Sequence, residues 1–256
     1  LYYYGARYYD PKLSIWVSVD PMAERTPGWS PFIYTLQNPI KFVDPDGNFE
    51  IPIHAEITIN SAQSAGYSTP QTYRLFKGVT DADYLGFALD YHFDGRSNFE
   101  EIASTWNGLM NSINSRGNDL YGLGKDLHTV QDFYSHSNYV ELFAQYYQSN
   151  GGDMSNLTPE TVPLYQEGIK DKKFVQYLKD NNFRTGDFHK HSNEKMPWTN
   201  ENNLGNDSHF RMNKDSNESI QGKKNISGTP YSYHDLAKGV AQKASTKILN
   251  DRNKSN

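Results

Sequence analysis

Apolar residues recur at every third or fourth position over several stretches, and each stretch reads as an amphipathic helix. Between Ile53 and Ala65, the side chains of Ile53, Ile57 and Ala62 fall on one face. Asn98–Asn114 and Asp119–Tyr147 carry the clearest pattern. In the second, Leu120, Leu123, Leu127, Val130 and Phe133 follow one another at intervals of three and four. Thr158–Asn181 reads as helical with breaks, and Tyr233–Asp251 as a closing helix with Leu236, Val240 and Ile248 inward. Residues 1–47 have another rhythm. Tyr2–Tyr9 and Ser14–Val19 read as strands. Asp10-Pro11, Asp20-Pro21, Asn38-Pro39 and Asp44-Pro45-Asp46-Gly47 read as turns. Residues 183–230 are polar and rich in Asn, Ser, Gly and Lys, so they read as a long loop region. Inside a compact domain such a loop is expected to be functional or clamped. The pattern predicts a mainly α domain over 49–256, preceded by a short β-rich piece over 1–48.

With 256 residues the chain can hold one medium domain and a smaller appendage. It has no cysteine, which excludes disulfides and thiolate metal sites. A metal would have to be held by His, Asp, Glu, backbone or water, and His-rich sets of this kind suit zinc. The formal net charge is -5, so bulk attraction to nucleic acid or anionic lipid is not indicated, although bound divalent cations would change the local sign. No apolar run approaches the roughly 20 residues of a membrane span. The opening, Leu1-Tyr2-Tyr3-Tyr4, has no Met, no basic start and no apolar stretch. It carries no signal-peptide pattern and reads as a piece of a longer protein.

The chain has eight histidines: His54, His92, His128, His136, His189, His191, His209 and His234. Three groups in Leu127-His128-Thr-Val-Gln-Asp132-Phe-Tyr-Ser-His136 stand four apart. On a helix, positions i, i+4 and i+8 lie on nearly one face, so His128, Asp132 and His136 project together. Their neighbours Leu127, Phe133, Tyr134 and Tyr139 predict a half-buried stripe. A buried carboxylate beside two imidazoles is costly without a cation, which favours metal binding over a solvated polar face. His54 opens the first helix, and His92 lies in Asp90-Tyr-His92-Phe-Asp94-Gly, a turn before a helix. Taken alone, either is equally a cap or surface residue. Asp81-Ala-Asp83-Tyr84 lies just upstream of His92. Spacing alone does not bring these separate elements together.

Tyr4-Gly-Ala-Arg7-Tyr-Tyr-Asp10-Pro11, Ser18-Val-Asp20-Pro-Met-Ala-Glu24 and Asn38-Pro-Ile-Lys-Phe-Val-Asp44-Pro-Asp-Gly47 resemble the end of an RHS-repeat core. The resemblance implies a β-strand shell that releases a variable C-terminal toxin by aspartyl self-cleavage, with Asp20 and Asp44 as the cleavage carboxylates. Paired carboxylates can share a proton and activate water, although both Asp-Pro pairs can also be simple turns. Asn48 stands where the family usually has Leu. The remainder of the RHS shell would be needed for any cleavage.

Leu123-Gly-Lys-Asp-Leu-His128-Thr-Val-Gln-Asp132-Phe-Tyr-Ser-His136-Ser-Asn-Tyr-Val-Glu141-Leu142 resembles the Het-C group, related to bacterial zinc-dependent phospholipases C and fungal single-strand zinc nucleases. This resemblance extends over most of 51–251. It implies a helical bundle holding two or three zinc ions. His54, Asp83, His92, His128, Asp132 and His136 match ligand positions, with Asp132 bridging two cations and Asp83 as ligand or general base. His136 follows Asp132 by four positions rather than the phospholipases' six, and the late His-x-x-x-Glu pair is absent. His209 is the substitute for its histidine, with His234 and Glu141 as weaker candidates. Tyr84, Phe93, Tyr134 and Tyr139 are candidates for a substrate-facing wall or for core.

Together the two resemblances imply a secreted polymorphic toxin effector, delivered into target cells by a bacterial secretion system and countered by a cognate immunity protein. The expected chemistry is phosphodiester hydrolysis, phospholipase C-like in preference to nuclease because the chain is acidic. A non-hydrolytic toxin or interaction module with a structural metal is the remaining alternative.

Overall fold

The computed structural model describes residues 1–20, 30–35, 53–85, 91–187 and 209–255. It is mainly helical, with one small sheet of three strands near the start. The strands are β1 (Tyr2–Tyr3), β2 (Tyr8–Asp10) and β3 (Ile15–Trp16), all antiparallel, with Tyr2 opposite Tyr9 and Tyr9 opposite Trp16. The single strand expected over Tyr2–Tyr9 is therefore a hairpin. Gly5, at φ 108, supplies the left-handed turn that a side chain would resist. Tyr4, Tyr9, Trp16 and Tyr34 pack ring against ring. The Arg7 guanidinium lies 4.2 Å from the Trp16 ring centre.

Helices make up most of the remainder: α1 (Ile53–Ser64), α2 (Thr69–Leu85), α3 (Phe99–Ser115), α4 (Leu120–His136), α5 (Tyr139–Ser149), α6 (Tyr165–Gly168), α7 (Lys172–Asp180), α8 (His209–Met212) and α9 (Tyr233–Ser255). Local chemistry sets several of these ends. The Asn98 side chain accepts from Glu101 N at the start of α3, and Asp119 accepts from Gly122 N at the start of α4. Arg116, closing α3, grips Asp126 of α4 with Nε and Nη2 at 2.7 and 2.8 Å.

α4 is the central element, packed against α2 and α9 and also touching α1 and α3. From Asp126 to His136 every residue of α4 is buried, polar ones included. One side of it joins an aromatic core with Phe93, Trp106, Tyr139, Tyr165 and Phe183. Each fully buried ring of this kind contributes roughly 1.5–3 kcal/mol. Phe93, Tyr134 and Tyr139 thus belong to the core rather than to a substrate wall.

Two features depart from the sequence pattern. Residues 69–85, for which the pattern predicts no helix, form α2. Its Gly78 lies against α4 so closely that a Cβ there would meet Tyr121 O at 2.1 Å, and one on Gly124 would meet Leu75 O at 2.2 Å. The two helices meet backbone to backbone through glycines. The long helix expected over Asp119–Tyr147 is broken at Ser137, which is extended at φ -94, ψ 165. There the chain turns aside to pair with residues 184–185, Ser137 bridging Thr185 and Asn138 N donating to Arg184 O. His136 is consequently the last residue of α4. Among the described residues, no helix is long and apolar enough to cross a membrane.

Candidate metal centre

The helical period of α4 carries His128, Asp132 and His136 to one stripe, and the surrounding elements bring three further donors to it. Asp132 is 1% exposed, and its two oxygens face different groups. Oδ2 lies 2.7 Å from His92 Nδ1 and 3.4 Å from His128 Nε2, and those two nitrogens are 3.3 Å apart. Oδ1 lies 3.3 Å from His54 Nε2 and 3.7 Å from His136 Nε2. On that second side Asp215 joins: Oδ2 is 2.9 Å from His136 Nε2, and Oδ1 is 3.5 Å from His54 Nε2. Among the described residues, two sets could each hold a metal ion, His54–His128–Asp132 and His54–His136–Asp215.

The donor spacing fits a small divalent cation. Ligand atoms on a tetrahedral zinc with bonds of about 2.0–2.1 Å stand roughly 3.3 Å apart, and most separations above fall near that value. Asp132 Oδ1 and Asp215 Oδ1 are buried and find no hydrogen-bond partner among the described residues, although both face His54 Nε2. Buried carboxylate oxygens rarely stay unsatisfied, and a cation between them and the imidazoles would meet both.

The site is held from outside. Gln131 Nε2 donates to Thr58 Oγ1 at 2.9 Å and Ser245 Oγ at 3.2 Å, which leaves its Oε1 facing His54 Nδ1 at 3.2 Å. His54 therefore donates from Nδ1, and Nε2 is the atom turned to the carboxylates. Thr129 Oγ1 donates to Tyr91 O at 2.6 Å and fixes the loop that bears His92. Beyond His136, the helix end is covered by Gly186 N, which donates to His136 O.

Electrostatics follow from this crowding. Burial alone would raise the Asp132 carboxyl, but His128, His92, His136 and His54 outweigh it and hold it well below the usual carboxylate range. Asp215 is likewise held low, by His136 and His54 against burial. Burial would lower His136, yet Asp215, Asp132 and Asp94 push it up to about 9. His92 is also raised, burial being outweighed by Asp132 and Asp94. Metal binding must displace protons held this tightly.

Of the residues singled out in the sequence, His54, His92, His128, Asp132 and His136 come together. Asp20 stands apart in the β-rich piece, its Oδ2 2.8 Å from Arg7 Nη2. Asp44 lies outside the described residues, as do the side chains of Asp83 in α2 and His209 in α8. Glu141 and His234 are engaged elsewhere: Glu141 Oε1 accepts from Lys214 Nζ, and His234 Nδ1 donates to Lys214 O. Asp215 is the donor that sequence reasoning missed. It sits six positions after His209, in the segment chosen for its imidazole, and its carboxylate was the overlooked signal. Compared with models of known protein families, with curated proteins and with solved structures, the chain gives no match.

Proposed function

We propose that the helical region is a zinc-dependent phosphodiester hydrolase, phospholipase C-like, and the toxin end of an RHS-type effector. The observation that carries the reading is the convergence of His54, His92, His128, His136, Asp132 and Asp215 from separate elements around two shared carboxylates. In this reading His92, His128 and Asp132 would hold one cation, and His136 and Asp215 would hold a second, with Asp132 shared between them. His54 stands between them. When bound, zinc supplies Lewis acidity: it lowers the pKa of water to roughly 7 and takes up charge on a phosphoryl oxygen. The protein's own part is to keep the donors fixed and dry. Gln131 orients His54, and the sealed face of α4 excludes water from Asp132. The His92 and Asp215 side chains, 23% and 24% exposed, mark where a substrate phosphate can approach.

The acidic chain favours a phospholipid over a nucleic-acid substrate, since it offers no bulk attraction to a polyanion. Secretion, delivery into a target cell, self-cleavage at Asp20 and Asp44, and an immunity partner follow from the RHS-like motifs of residues 4–47. A second reading, a metal that only secures the fold, is favoured by the near-complete burial of His54, His128, Asp132 and His136. Elemental analysis of the purified protein, with phospholipid and nucleic-acid panels and a His128→Ala control, separates these readings. The hydrolase reading expects at least two zinc ions per chain and turnover lost in the variant. One tightly held zinc without turnover on either panel establishes the structural role instead.

A further inference from the structure

Asp215, like His92 and unlike the donors of α1 and α4, has no helix to aim it. It lies in the stretch after α8, with Asn213 Oδ1 accepting from its backbone N at 2.7 Å. Yet it reaches His54 of α1 and His136 of α4 at once. Something outside that short turn must set its place.

The preceding residue does so. Lys214 is 1% exposed, which is rare for a lysine. Its Nζ meets three acceptors, Ser137 O at 2.7 Å, Met212 O at 2.9 Å and Glu141 Oε1 at 3.0 Å, matching the three donors of an ammonium group. Its backbone N donates to Ser135 O, and its carbonyl accepts from His234 Nδ1 at 2.7 Å. Every polar group of Lys214 is therefore tied, and the ties run to α4, the α4–α5 link, α5, α8 and α9. Sealing an ammonium away from water is costly even when it is paired. An apolar side chain would fill the same space with less desolvation, so fastening a loop is a poor account of a lysine here. The break of α4 at Ser137 matters too, because it frees the Ser137 carbonyl from the helix and turns it to Lys214.

We propose that Lys214 is the positioning residue of the metal centre: clamped by Ser137, Glu141 and His234, it sets Asp215 against His54 and His136 and so completes the second cation position. The clamp rests on the metal-centre reading above but makes a separate demand. Breaking it must empty one position and spare the other, where Asp132, His92 and His128 need nothing from this stretch.

Zinc titration by calorimetry, with thermal unfolding in parallel, tests this on the whole chain as wild type, Asp215→Asn, Lys214→Met and Glu141→Gln. The expected result is that Asp215→Asn loses a single zinc, and that Lys214→Met loses the same one or binds it on the order of 10–100-fold more weakly, the usual effect of removing an outer partner. The remaining zinc is held as in the wild type. Glu141→Gln keeps an acceptor but not the charge, and should weaken that same zinc by a smaller factor. A Lys214→Met protein that folds and binds both ions as the wild type does overturns the clamp, whatever its melting temperature. Should Lys214→Met fail to fold, an unchanged titration of Glu141→Gln overturns it instead. A wild type that binds no zinc removes the metal centre itself, a result distinct from either.

Discussion

Asp132 and Asp215 perform similar tasks in opposite ways. Asp132 stands in the middle of α4, where the helix fixes its direction and places His128 and His136 one turn to either side. Asp215 stands in a loop, and its direction comes from a buried lysine tied to several elements. The first arrangement is encoded within a few neighbouring residues; the second exists only when α4, α5, α8 and α9 are all in place. A candidate metal centre built this way has a rigid half and a conditional half.

The largest effect should come from the rigid half. Asp132→Asn removes the charge that meets four imidazoles and serves both sides of the site. Zinc content should fall to near none, well beyond the roughly 10–100-fold loss that removal of an outer partner causes. A variant that keeps both ions would show that Asp132 is a partner of the histidines rather than a ligand, and the contrast with Asp215 would collapse. Next in size is Gln131→Leu, which frees the His54 ring and strands Thr58 and Ser245. Zinc affinity should drop on the order of 10–100-fold, with a stability loss of about 1–3 kcal/mol from the orphaned hydroxyls. Since His54 faces both carboxylates, both ions should weaken together in a titration, unlike the selective loss expected at Lys214.

The same contrast explains what could be read from the sequence. The α4 stripe was legible because a helix turns spacing into geometry. That His54 and His92 join it was available only through resemblance, since neither the opening of α1 nor the loop at 91–97 has a period that aims a side chain. Asp215 was illegible for a stronger reason: its position depends on contacts of Lys214 with residues as far off as Ser135 and Ser137. α2 was not assigned from the sequence, and its Gly78, a poor helix former along the chain, is in space where two backbones touch. The end of α4 escaped because the apolar pattern runs on through Tyr139, Val140 and Phe143. Only the pairing of Ser137 and Asn138 with residues 184–185 interrupts the backbone. Gly78→Ala tests that account of the scaffold. Its methyl would strike Tyr121 O and push α2 from α4, for about 1–3 kcal/mol of stability and a lowered melting temperature. Zinc content should hold, because the donors on α4 keep their mutual spacing.

The smallest effect should be the most specific to the conditional half. In the metal-free protein His136 titrates at about 9, above its ordinary 6.5, with burial opposing and Asp215 the foremost of the groups raising it. A raised pKa means that the stability this imidazolium provides is complete below about pH 6.5 and is lost as pH climbs through about 9. Asp215, held low, acts in the other direction: its contribution is present above its ordinary 3.8 and fades on acidification. Metal-free protein should therefore be most stable between about pH 4 and 6.5 and decline on the alkaline side. With zinc present the alkaline decline should vanish, because deprotonated imidazoles bind the cation better as pH rises. Asp215→Asn in metal-free protein should flatten the alkaline decline by removing the charge that raises His136 most. Gly78→Ala should leave its shape unchanged while lowering the whole curve. Melting temperatures from pH 4 to 10, with and without chelator, measure this directly. An alkaline decline that persists in Asp215→Asn would place the proton elsewhere and detach His136 from the loop carboxylate.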